Sequence, residues 1–97
     1  MASHVHLDLA VDPARVDAFL AFLKPLLPDT RAYAGYRSID VLVDDEKPGH
    51  VVFQEVWETR AHYEKYLAWR TETGALAKLG EFLTAPPVFA YFTRADV

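Results

Sequence analysis

Residues 35–57 read GYRSIDVLVDDEKPGHVVFQEVW, and the fold follows from this stretch. From Gly35 to Val43, the apolar residues Ile39, Val41 and Val43 recur at every second position, the period of a half-buried strand. From His50 to Trp57, Val51, Phe53, Glu55 and Trp57 fall on one face, and Val52, Gln54 and Val56 on the other. Between the two runs, Asp44–Gly49 is polar and ends in Pro48-Gly49, a turn signal. Two alternating runs joined by so short a loop predict an antiparallel hairpin.

Upstream of the hairpin, His4–Val11 alternates as cleanly: Val5, Leu7, Leu9 and Val11 face one way, and His4, His6, Asp8 and Ala10 the other. Asp12-Pro13 then opens a helix. Asp12 can accept from free N–H groups, and Pro13 sits where its missing N–H costs nothing. Val16, Phe19, Leu20, Leu23 and Leu27 continue at helical spacing. Pro25 ends or kinks this helix near Lys24, and Leu26-Leu27 form one further short turn before Pro28. Downstream, Thr59 caps a second helix running to about Thr73. Gly74 punctuates, Ala75–Leu83 is a third and shorter helix, and Pro86-Pro87 stops it. Val88–Thr93 is a last strand, apolar on both faces.

The order strand, helix, strand, strand, helix, strand is the split βαβ, or ferredoxin-like, α+β arrangement, with an antiparallel sheet covered by helices on one face. At 97 residues the chain predicts a single domain spanning 1–97. The uncovered face of the sheet carries Tyr36, Leu42 and an apolar fourth strand, which predicts sheet-to-sheet packing in a homodimer.

Composition narrows the chemistry. The chain is 52% hydrophobic, with two Trp, five Tyr and six Phe, so disorder is excluded. Such a surplus in a small domain asks for a second burial surface, either a partner subunit or a ligand cavity. With no Cys there is no disulfide framework, thiolate nucleophile or Cys-ligated metal, which fits a reducing cytoplasm. The N-terminal residues lack the basic and continuous apolar regions of a signal peptide, and no apolar run is long enough to span a bilayer. A net charge of −4 argues against a nucleic-acid partner.

Three segments suggest a relationship. Thr30-Arg31-Ala32-Tyr33-Ala34-Gly35 lies between the first helix and the second strand. Phe53-Gln54-Glu55-Val56-Trp57 is the third strand, and Thr59–Leu67 begins the helix after it. In these segments, and over residues 4–92 in general, the sequence resembles the antibiotic biosynthesis monooxygenase family. There a Thr-Arg-Ala and a following Gly recur, and an apolar residue, Glu and Trp mark the third strand. The resemblance implies a dimeric α+β barrel and oxygenation of quinols or polyketide aromatics without metal or flavin. Two departures stand out. Tyr66 lies nine positions after Trp57, where many members carry His, and no Asn occurs between His4 and Val11, where the haem-degrading branch uses one. Haem degradation is therefore not implied.

Oxygenation without a cofactor needs an electron-rich substrate, an apolar cavity, a base and donors for the resulting anion. Trp57 is the leading lining residue, with an indole N–H to donate and a ring to stack; the plainer reading is a core Trp. Tyr63, Tyr66 and Arg70 share one helical face at i, i+3 and i+7, where two phenols and a guanidinium can hold an enolate or quinolate. Amphipathic packing explains the same spacing, and Trp69 reads as core or interface. Phe53 is a further cavity residue. His4 and His6 stand two apart on a strand, but no spacing supplies a third metal ligand, so no metal site is assigned; His6 is the candidate pocket base. Asp8 and Asp40 can orient a His or face an interface. His50 and His62 read as surface residues, and Asp44-Asp45-Glu46 as a solvated loop. The expectation is a cofactor-independent monooxygenase acting on a small aromatic or quinol, with Trp57, Tyr66 and His6 at the reacting centre. The rival is a non-catalytic barrel that binds a small apolar molecule.

Overall fold

The computed structural model describes residues 1–97. Four strands, β1 (Ser3–Ala10), β2 (Tyr36–Val43), β3 (His50–Trp57) and β4 (Val88–Phe92), form one antiparallel sheet in the order β2-β3-β1-β4. Helices α1 (Val16–Leu23), α2 (Leu27–Ala32), α3 (Arg60–Glu72) and α4 (Ala75–Gly80) complete the ferredoxin-like α+β fold. None of them is long and apolar enough to cross a membrane.

Asp12 acts as expected. Its Oδ1 accepts from the Ala14 N–H at 3.0 Å, starting a 3-10 turn at Pro13–Arg15 that runs into α1. The first helix stops at Leu23, ahead of Pro25. In place of the expected short turn, residues 27–32 form a second helix, and Pro28 lies in its first turn, where no N–H is needed. The third expected helix is also shorter, ending at Gly80 instead of Leu83. Val11 forms an isolated bridge with Leu83, and the Asp12 N–H donates to the Phe82 carbonyl at 2.9 Å, drawing the chain out of helical geometry.

Strand register distributes the side chains. Val5 pairs with Glu55, Leu7 with Phe53 and Leu9 with Val51, all facing the helices. There Leu7, Leu9, Phe19, Leu23, Val51, Phe53 and Leu79 form the main core. Val5, Trp57 and Tyr63 form a second cluster, with Tyr33, Tyr36, Tyr66 and Tyr91 packed around it. Tyr36 corrects the sequence reading. An irregularity between Tyr36 and Ser38 breaks the alternation, so Tyr36 pairs with Trp57 and turns to the covered face, its ring 5.9 Å from the indole. Leu42 remains on the uncovered face at 46% exposure, with Val88 at 62% and Phe92 at 51%.

Candidate active site

Between the covered face of the sheet and the helices lies a cavity of about 60 Å³. That is several times the roughly 10–15 Å³ one buried water needs. Its walls are mostly apolar, including Leu7 on β1, Leu23 on α1, Leu67 on α3 and Leu76 and Leu79 on α4, with Phe53 from β3. Into this apolar space come five groups with chemistry: Thr30, Glu55, Tyr63, Tyr66 and Arg70.

Glu55 arrives by strand alternation. Phe53, Glu55 and Trp57 occupy successive inward positions, so the carboxyl is carried into the interior at 3% exposure. Its Oε1 accepts from Trp57 Nε1 at 3.1 Å. No Lys, Arg or His nitrogen lies within 4.0 Å of it. Burial penalises the charged form, the Trp57 N–H only partly offsets this, and the carboxyl is pushed up from 4.5 to about 7. Tyr63, 1% exposed, is pushed up as well, first by burial and then by the neighbouring Glu55 charge, so its phenol stays protonated.

Arg70 occupies the other end of the inward α3 face. It is 5% exposed and has no carboxylate within 4.0 Å. Neutral oxygens hold it instead: Nε donates to the Tyr66 hydroxyl at 3.0 Å, and Nη2 to the Leu26 carbonyl at 2.7 Å and Thr30 Oγ1 at 3.0 Å. The Tyr66 and Thr30 hydroxyls are themselves 2.8 Å apart. The guanidinium also lies 4.6 Å from the Trp69 ring centre. A carboxyl that titrates near neutrality and an uncompensated buried cation thus share one mainly apolar cavity. Perturbed ionisable groups in an apolar cleft mark functional sites.

The model of the antibiotic biosynthesis monooxygenase family matches residues 3–72. The chain belongs to that family. Among solved structures, Rv0793 from Mycobacterium tuberculosis superposes with a TM-score of 0.85 at 24% identity, covering 100% of this chain and 98% of that one. A conserved protein from Methanosarcina mazei Go1 gives 0.88 at 19% identity, covering 98% and 94%. The monooxygenase ActVA-Orf6 of Streptomyces coelicolor, solved in complex with nanaomycin D, gives 0.82 at 18% identity, covering 99% and 89%. At these identities the likeness establishes the fold alone. No curated protein matches.

Within the family fold, the residues singled out in the sequence separate clearly. Phe53, Tyr63, Tyr66 and Arg70 all line the cavity. Trp57 does not: its ring is fully buried behind Glu55, and its N–H is engaged there. His6 is on the opposite face, because the alternation that turns Val5 and Leu7 inward turns His6 out. Its ring lies 5.0 Å from that of Phe92, with Gln54 Nε2 at 3.4 Å from its Nε2. His4 is on that outer face too, and no three His, Cys, Asp or Glu side chains are placed to hold a metal ion. Sequence reasoning missed Glu55 and Thr30 as site residues, although Glu55 stood on the inward face of β3 and both occur in the segments that carry the family resemblance. Nor is Asp44 simply solvated. Its Oδ2 meets His50 Nδ1 at 2.7 Å while Asp8 Oδ1 meets Nε2 at 2.6 Å, fastening the hairpin loop to β1.

Proposed function

We propose that this protein is a cofactor-independent monooxygenase working in the cytoplasm as a homodimer, and that it oxidises a small aromatic or quinol with O₂. The observation that carries the reading is Glu55, a carboxyl held near pKa 7 in an apolar cavity with no cationic partner. A general base is most effective when its pKa lies near the working pH. The Glu55 carboxylate takes a proton from an activated CH₂ of the substrate, leaving a carbanion delocalised onto a ring or carbonyl oxygen. The anion gives one electron to O₂, the radical pair joins to form a C–O bond, and the protonated Glu55 returns its proton to the peroxide. Loss of water then leaves a carbonyl, so CH₂ and O₂ become C=O and H₂O with all electrons drawn from the substrate. In this scheme Arg70, held by Tyr66 and Thr30, stabilises the anion, and Trp57 is a positioning residue acting through Glu55.

The test is oxygen uptake with anthrones and naphthoquinols in EDTA, comparing Glu55→Gln, Tyr66→Phe and Trp57→Phe with the parent. Loss of the base lowers the rate by roughly 10²–10⁴. An unchanged rate in Glu55→Gln removes the mechanism. The cavity's modest volume favours the rival reading, a binder of a small apolar molecule; ligand binding without turnover across the panel would establish it. Leu26, Leu27 and Leu76 are only partly buried and can yield to a ring-sized substrate. Exposed Leu42, Val88 and Phe92 support the homodimer through the open sheet face. Light scattering should report a dimer, and Phe92→Asp should shift it toward monomer.

A further inference from the structure

We propose that the cavity selects ligands presenting one anionic oxygen on an apolar body, a phenolate or enolate, and that this oxygen is received by Nη1 of Arg70. The chemistry of the ligand rests on the oxygenase reading; the geometry rests on the hydrogen bonds of Arg70 alone. A guanidinium has five N–H donors. Three are committed here: the Nε hydrogen to Tyr66, and both Nη2 hydrogens to Leu26 and Thr30. Nη1 keeps two hydrogens and no partner. Every fully buried side-chain nitrogen and oxygen in the protein has a partner, so Nη1 is not fully buried, and Arg70 is one of the residues that line the cavity.

The pattern of occupied donors discriminates between anions. Arginine recognises carboxylates and phosphates through two adjacent nitrogens, each donating to a separate oxygen. One such edge is Nε with Nη2, and the other is Nη1 with Nη2. Both need Nη2, whose hydrogens are already spent on Leu26 and Thr30 at 2.7 and 3.0 Å. A single oxygen on Nη1 asks for neither edge. Leu23, Leu67 and Leu76 would enclose the hydrocarbon body, and Glu55 stands on the same cavity to exchange the ligand's proton.

The test uses three probes of similar size: 4-nitrophenol, 4-nitrobenzoate and nitrobenzene. Binding is measured by calorimetry, and ionisation of the nitrophenol by its visible absorbance at a pH where half of the free probe is ionised. The parent protein should raise the ionised fraction of 4-nitrophenol and bind it on the order of tenfold or more tighter than nitrobenzene, as expected for a charge-assisted contact. It should bind 4-nitrobenzoate no better than nitrobenzene. Arg70→Gln should abolish the absorbance change. If that variant does not fold, the comparison of three probes on the parent protein decides alone. Preference for nitrobenzoate, an ionised fraction unmoved by the protein, or no binding of any probe would overturn the proposal. Phenolate selectivity without oxygen uptake would retain this inference and sink the oxygenase reading; turnover without phenolate selectivity would do the reverse.

Discussion

Replacing Glu55 by Gln isolates the consequence of burying a carboxyl without a cation. In the unfolded chain this group titrates at its ordinary 4.5, and in the folded protein at about 7. Below pH 4.5 both states hold the proton, and above 7 both have released it. Between those limits the folded protein keeps a proton that the unfolded chain has lost. Stability then falls as pH rises, by about 1.4 kcal/mol per unit for one proton. Across the window the loss amounts to about 3 kcal/mol. Gln is nearly isosteric, and its carbonyl can still accept from Trp57 Nε1, but it has no proton to lose.

Urea unfolding of parent and Glu55→Gln, run at equal protein concentration between pH 4 and pH 8, gives the difference directly. The other titrating groups are common to both proteins and cancel. The variant should gain on the parent steadily from pH 4.5 to pH 7 and then hold a constant margin of that size. Parallel stability curves would show that Glu55 ionises like an exposed carboxylate, and the assignment of a neutral-range base would fall with it.

The same geometry sets three other outcomes. Trp57→Phe removes the one hydrogen bond that favours ionised Glu55, so the acid limb of the pH–rate profile should move alkaline by about one unit; a limb that stays put would detach Trp57 from Glu55. His50 is raised above 6.5, chiefly by its bond to Asp44, which is itself pulled down to about 2. Its stabilising charge is therefore complete below pH 6.5 and lost as pH rises through the folded value, and NMR titration should show that value dropping in Asp44→Asn. Gly35 has a φ of +90°, and a Cβ there would overlap the ring of His62. Gly35→Ala should lower stability by at least about 1–2 kcal/mol from the backbone conformation alone. In thermal melts, an additional His62→Ala should recover only the part due to the ring, because the His62 Cβ, which alanine keeps, also lies 2.5 Å from the added Cβ.

The fold was legible wherever one local period held without interruption. Val5, Leu7 and Leu9 on β1, and Val51, Phe53 and Trp57 on β3, face inward as their alternation requires. Misreadings arose where a second constraint acted. Pro28 reads as a stop beside Leu27, yet a proline in the first turn is compatible with a new helix, and residues 27–32 take it. Tyr36 reads as outward by counting back from Leu42, but the count crosses an irregularity before Ser38 that no pattern marks. Gly80 is followed by Glu81, Phe82 and Leu83, which continue a helical pattern in sequence; the bridge from Val11 that unwinds them comes from the other end of the chain.

The site was less legible because its two charged members contradict the rules that made the fold readable. Alternation put Glu55 on the face of Val51, Phe53 and Trp57, but alternation alone does not show that its carboxyl is buried without a cation. Arg70 shares a helical face with Tyr63 and Tyr66, but spacing cannot show that its donors meet Leu26 and Thr30, residues 44 and 40 positions away. Short α2 supplies Thr30 and the residue just before the helix supplies the Leu26 carbonyl, and α2 was the helix hidden behind Pro28. With α2 in place, Thr30 and the Leu26 carbonyl fix Nη2 of a buried cation; without it, Arg70 would have every reason to extend to solvent. Departures from local expectation concentrate at functional positions in natural proteins, and here a buried carboxyl and a buried guanidinium share one cavity without pairing. An arrangement selected for stability alone would pair them or replace them with leucine. Keeping them apart leaves the carboxyl able to move a proton and the cation able to hold what that transfer leaves behind.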